Sequence, residues 1–124
     1  MAELKLLNKS FNIVEISHVP TFLAPYSFVI SMPHKLTLIC TEDETPSSLL
    51  SAPRHTTCFV LKNETIAELL HDANNIIELL SGANIPVQMV SEEHSIYLFV
   101  GTDNAMTAVM LLSSHDYNIV YTDI

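Results

Sequence analysis

The sequence predicts an α+β chain whose second half is a ferredoxin-like βαββαβ unit, preceded by a strand-rich half without a comparable helix. Three observations carry this expectation. Apolar residues recur at gaps of three and four from Ile66 through Leu69, Leu70, Ala73, Ile76 and Ile77 to Leu80, one stripe along a helix of about four turns. Ile85, Val87 and Met89 alternate with Pro86, Gln88 and Val90, and the run Ser95 to Val100 follows after a polar turn, as in a β-hairpin. A second, shorter stripe at Ala105, Ala108, Val109 and Leu112 precedes the β-branched and aromatic run Tyr117 to Thr122.

In the first half, Leu4 to Leu7, Phe11 to Ile16, Tyr26 to Ser31 and Leu36 to Thr41 read as four short strands, the last two joined by a turn at Met32-Pro33-His34-Lys35. Val19 to Ala24 has room for one helical turn at most. Thr41 to Arg54, acidic and then rich in Ser and Pro, is the one linker-like stretch, so the halves are placed at 1–54 and 55–124.

The second half opens with the strand Thr56 to Lys62. Thr65 with Glu68 forms a capping box at the start of the helix, and Gly82 stands where a left-handed C-terminal cap is wanted. Pro86 has no N–H, so it belongs at a strand start or edge. Gly101-Thr102-Asp103-Asn104 breaks the returning strand and offers N-caps to the second helix. The order β-α-β-β-α-β in so few residues is the split βαβ arrangement. Right-handed crossovers then put both helices on one face and the first and third strands at the centre.

Composition narrows function by exclusion. Lys plus Arg number 5 and Asp plus Glu 14, a formal net charge of −9, so phosphate backbones and anionic membrane surfaces are poor partners. The single arginine, Arg54, argues against an anion-clamping phosphotransferase, and the two glycines, Gly82 and Gly101, leave no dinucleotide fingerprint or P-loop. The apolar runs of about five residues are far short of a membrane span, and the opening residues show no signal-peptide core, so a cytoplasmic protein is expected. Cys40 and Cys58, without CxxC spacing, read as a reduced, buried pair.

Chemistry-bearing residues are sparse. The six histidines lie too far apart for an HxH or i,i+4 metal pair, and no metal site or cofactor is expected. His71 borders the helical stripe, where flanking the sheet-packing face is expected ahead of lining a pocket near the helix start. Ser113-Ser114-His115-Asp116 resembles triad residues in kind only, since neighbours in sequence point apart, and His115 suits a helix C-terminus. Glu42-Asp43-Glu44 reads as a solvated turn. Met106 and Met110, one turn apart, are core filling or a partner surface. No catalytic residues are expected.

Ser81 to Val100 (SGANIPVQMVSEEHSIYLFV) with Asp103-Asn104-Ala105-Met106-Thr107-Ala108 is similar to the ACT domain, in which a helix leads through a tight turn to a hairpin and a second helix. Glu3 to Leu7 and Lys35 to Glu42 (KLTLICTE) resemble small bacterial proteins built of tandem ACT-like halves, whose modules are related to amino-acid sensors and the regulatory tails of aspartate kinases. The resemblance makes residues 1–54 a degenerate ACT-like half and 55–124 an ACT domain. It implies a non-catalytic binder or sensor of a small ligand of amino-acid class, working as a homodimer. It also implies a ligand site at Lys62, Asn63, Glu64, Thr65 and Ile66, faced by Asn84, Ile85 and Pro86. The N–H groups and positive dipole end at Asn63–Thr65 suit a ligand carboxylate. The chain lacks the glycine of the tandem proteins at the helix start and carries Asn84 in place of the turn glycine. These departures favour a rival reading, a dimerising interaction module without a ligand site.

Overall fold

The computed structural model describes residues 3–47, 49–50, 52–63 and 65–124. The strands are β1 (Glu3–Ile16), β2 (Phe28–Met32), β3 (Lys35–Thr41), β4 (Arg54–Lys62), β5 (Val87–Ser91), β6 (Ser95–Gly101) and β7 (Asn118–Thr122). Helix α1 spans Ile66–Gly82 and helix α2 spans Ala105–Ser114, with single 3-10 turns at Glu42–Glu44 and Thr102–Asn104. The hydrogen-bonded order is β2-β3-β1-β4-β6-β5, and β7 pairs with β1.

The expected ferredoxin-like βαββαβ ACT unit is corrected here. Such a unit needs β7 beside β4. Instead the first five residues of β1 lie there, antiparallel to β4 and parallel to β7, with Glu3 opposite Asn118 and Leu7 opposite Thr122. Leu4-to-Leu7 and Phe11-to-Ile16, expected as separate strands, form one strand. Its register against β4 shifts between Leu6 and Ser10, so that three β1 residues stand against one on β4. Such a bulge bends a strand and sharpens its twist. Beyond it the edge that held β7 is taken over by β3, from Phe11 opposite Thr41 to Ile16 opposite Leu36. One sheet therefore runs through both halves, and the expected boundary at Arg54 falls on the first residue of β4.

The sheet is mostly antiparallel and curls into a nearly closed barrel. Phe28 of β2 stacks against Tyr97 of β6 with ring centroids 4.8 Å apart, although three strands separate β2 from β6 in the order. Adjacent strands stand about 4.8 Å apart, so a flat sheet would hold those two near 20 Å. Alternation along each strand then gives two cores. Leu7, Phe11, Ile13, Ile39, Cys58, Val60, Tyr97 and Phe99 fill the barrel. Leu4, Leu6, Phe59, Leu61, Ile96, Leu98 and Val100 face outward under the helices, meeting Leu69, Ala73, Ile76 and Leu80 of α1 and Ala108 and Leu112 of α2. Both helices thus share one face, and β6 is buried on both of its sides. A smaller cluster of Val14, Ile16, Leu38 and Cys40 continues the outer face beyond them.

The helix ends follow their sequence signals with one correction. Thr65 Oγ1 accepts from Glu68 N at 3.3 Å, the first half of the capping box. Gly82 stays within α1, and Asn84 takes the left-handed position at φ 60°. Ile85 N then bonds back to Leu80 O at 2.9 Å. The same closure ends α2, with Asp116 at φ 68° and Tyr117 N bonding to Leu112 O. Asn and Asp are the non-glycine residues that adopt this conformation most readily. Cys40 and Cys58 are free and buried, on opposite faces of the sheet. Among the described residues, no helix is long and apolar enough to cross a membrane.

Candidate functional site: a charged mouth of the barrel

Register brings four chain segments level at one end of the barrel. Ile13 of β1 stands opposite Arg54, Thr56 of β4 opposite Gly101, and Val87 of β5 opposite Val100. The 3-10 turn Thr102–Asn104 then carries the chain into α2. Between them lies a cavity of about 330 Å³ lined by Ile13, Arg54, His55, Thr56, Pro86, Val87, Gln88, Phe99, Gly101, Asp103 and Asn104. Small-ligand sites are typically clefts of this order, with an apolar wall and a few convergent polar groups.

The lining supplies both. Phe99 and Ile13 are core residues whose faces reach the cavity floor. Thr56 is buried, its hydroxyl donating to Phe11 O at 3.1 Å, so it holds the start of β4 to β1. Arg54 and Asp103 place one charge of each sign on the same cavity. Among the described residues the charge pairs within 4.0 Å are Lys9–Asp43 and His94–Glu93, so neither Arg54 nor Asp103 is paired with an opposite charge there. Asn104 makes no side-chain capping bond, which leaves the α2 N-terminus beside the cavity uncapped by its own N-cap residue. Gly101 keeps the rim open for Asp103, since a Cβ there would stand 2.8 Å from Asp103 Oδ1.

A second cleft, about 730 Å³, lies between α1 and the turn after α2. It is lined by Asn63, Ala67, Glu68, His71, Asp72, Asn75, His115 and Tyr117. His71 is exposed and lines this cleft, the less favoured of the two places expected for it. The cleft carries carboxylates and no Lys or Arg. Burial first, then the charge of Asp72, push the Tyr117 hydroxyl above its ordinary pKa, while a hydrogen bond from Asn75 pulls it down. Ser114 Oγ donates to Leu111 O at 2.7 Å and His115 Nδ1 lies 3.0 Å from the same oxygen, so this pair closes the end of α2.

The residues expected from sequence are divided between the two places. Asn63 lines the α1 cleft, and its Oδ1 accepts from Thr65 N at 3.3 Å. With Thr65 Oγ1 taking Glu68 N, two donors that a carboxylate would need at the α1 N-terminus are already bonded. Lys62 ends β4 opposite Ser95, Ile66 is exposed, and Glu64 lies outside the described residues. Asn84 closes α1, Ile85 is buried in the outer core, and Pro86 lines the barrel mouth. The two groups sit at opposite ends of the 17 residues of α1. At 1.5 Å per residue that is about 25 Å.

Arg54, His55, Gln88, Asp103 and Asn104 were not among the expected site residues. The signal for them was the one arginine opening a strand and an Asp-Asn pair leading into a helix. Only the strand register shows that these meet.

No family model matches the chain, and no curated protein is similar to it. Among solved structures, it is similar to the crystal structure of an Agrobacterium tumefaciens protein at 21% identity and a TM-score of 0.79, covering 98% of this chain and 93% of that one. It is also similar to a Vibrio cholerae protein of unknown function, a possible transport protein, at 13% identity and a TM-score of 0.67, covering 91% of this chain and 88% of that one. At these identities the likeness is one of fold.

Proposed function

We propose that the chain is a non-catalytic binding protein for a small zwitterion of amino-acid class, seated in the barrel mouth. The observation that carries this reading is the pairing of Arg54 and Asp103, both without a charged partner among the described residues, on one cavity of amino-acid size. A ligand carboxylate meets Arg54, whose planar fork suits two parallel hydrogen bonds. The ligand ammonium meets Asp103, with Gln88 and Asn104 as further polar contacts, and the ligand side chain lies on Phe99 and Ile13. The lining holds no arrangement in which a nucleophile is activated by an adjacent base, which favours binding over catalysis. The test is a thermal-shift screen of the purified chain against the twenty amino acids. Ligand at 100 times its dissociation constant adds about 2.7 kcal/mol of apparent stability, a shift of several degrees. A hit lost in Arg54→Gln supports the reading, and a flat screen overturns it.

A second reading, a homodimerising module, has its own support. Among the described residues β5 hydrogen-bonds on one side, to β6, and a sheet edge invites a partner strand. Met106 and Met110 stand 67% and 66% exposed on α2, and Tyr121 of β7 is 69% exposed. Sedimentation velocity decides it, with a dimer mass expected at micromolar concentration and a monomer excluding it.

A further inference from the structure

β3 and β4 lie on either side of β1, so residues 42–53, which join them, cross one face of β1. Side-chain contacts show which face. Phe11 and Ile13 point into the barrel, so Asn12 and Val14 point outward. Asn12 Nδ2 donates to Thr45 Oγ1 at 2.9 Å, Thr45 Oγ1 donates to Thr41 O at 3.3 Å, and Cys40 Sγ lies 3.7 Å from the same hydroxyl. Leu50 N donates to Glu15 O at 3.0 Å, and Leu49 packs on the outer cluster of Val14, Ile16, Leu38 and Cys40. The cover is thinner than what it covers. Val14 and Cys40 are 1% exposed, yet no described residue of 42–53 is itself buried. Asn12, 3% exposed, has its Oδ1 without a hydrogen-bond partner among the described residues. The closed arrangement therefore carries an unpaired buried acceptor, a cost that opening removes by admitting water. The ion pair Lys9–Asp43, at 3.7 Å, is solvent-exposed and adds little. Segments that bury so little of themselves open at lower free energy than the whole molecule unfolds.

We infer that residues 42–53 are a strap that lifts off the outer face of β1 while the barrel stays folded, with Thr45 as its latch. The far end of the strap belongs to the mouth. Ala52 and Arg54 line one cavity of about 290 Å³, which shares Ile13 and Arg54 with the mouth itself. The latched strap fixes the start of β4, where Arg54 stands, and the lifted strap releases it. This holds whatever the mouth binds. Beneath the closed strap, burial first and then the charges of Glu44 and Asp43 push the Cys40 thiol above its ordinary pKa, against the Thr45 hydrogen bond that lowers it. The thiol is thus protonated and unreactive until the strap lifts.

The two free cysteines report strap opening and unfolding separately, since Cys40 lies under the strap and Cys58 in the barrel interior. The full chain is labelled with N-ethylmaleimide without denaturant and read by peptide mass spectrometry. Cys40 should react well ahead of Cys58. Thr45→Val keeps the side-chain shape and removes the hydroxyl. It should speed both Cys40 labelling and exchange of the Leu50 amide about tenfold, the worth of one hydrogen bond. Phe28→Ala weakens closed and lifted forms alike, so it should speed Cys58 about thirtyfold and leave Cys40 unchanged. Equal rates at the two thiols of the parent, rising together in Phe28→Ala, overturn the inference, because Cys40 is then reached by unfolding alone. Parent rates in a folded Thr45→Val overturn it as well. So does a faster Cys40 with an unmoved Leu50 amide, since the turn then moves without the strap.

Discussion

Phe28 and Tyr97 stack with ring centroids 4.8 Å apart and planes inclined at 52°, joining the second strand of the chain to the sixth across the barrel interior. Phe28 also meets Phe99 edge-on at 6.1 Å, and Phe99 meets Phe11 at 5.5 Å. This aromatic chain, and not a hydrogen-bonded seam, closes the curl of the sheet. It also keeps Phe99 in place as the floor of the charged mouth. Phe28→Ala removes two of the three ring contacts from a half-buried site. It should lower unfolding free energy by about 2 kcal/mol, read from the urea midpoint at unchanged slope. A change within about 0.5 kcal/mol, the size of an ordinary surface substitution, would mean that the closure rests on something else.

Tyr97 gives the same closure a pH signature. Burial first, then the charge of Glu92, push its hydroxyl up to about 12. The folded chain therefore favours the protonated phenol more than the unfolded chain does. Its contribution to stability is complete below the ordinary tyrosine pKa of roughly 10 and falls away as pH rises from there toward 12. Phenolate absorbance should show a late-titrating tyrosine that Tyr97→Phe removes, and the variant should lose less stability than the parent over that interval. An unchanged titration curve in Tyr97→Phe would contradict the assignment.

Gly101 tests the site without dismantling the fold. Its backbone, φ −51° and ψ 137°, is open to alanine, and the close neighbour of an added Cβ is the movable carboxylate of Asp103. Gly101→Ala should therefore change stability by no more than about 0.5 kcal/mol. Displacing Asp103 should weaken amino-acid binding about tenfold, the value of one charge-assisted hydrogen bond. Full-strength binding by a well-folded Gly101→Ala would remove Asp103 from the site.

Much of the local structure was legible because it is written in short-range chemistry. The α1 stripe, the Thr65 cap, the β5–β6 hairpin and the strand Asn118–Thr122 all follow from spacing within a dozen residues. What was not legible is pairing between distant segments. Nothing near Leu4 says that it will sit opposite Leu61 on one side and Ile119 on the other. The bulge around Leu7–Lys9, which hands one edge of β1 from β7 to β3, has no glycine to mark it. Asn8 shows its consequence: the side chain donates to Asp123 Oδ1 and accepts from Ile124 N at 3.1 Å, pinning the chain's last residues to the bend. The mouth residues were hidden for the same reason. Arg54 and Asp103 are distant in sequence, and only the curled sheet gathers them.

The most direct measurement is a titration of the isotopically labelled chain with the amino acid that raises its melting temperature most, followed through backbone amide resonances. The account predicts that the shifts concentrate at Arg54–Thr56, Val87–Gln88 and Gly101–Asn104. The amides of Asn63, Thr65 and Ile66 should stay still. Shifts centred on those three residues, with the barrel mouth silent, would contradict it and move the site to the start of α1.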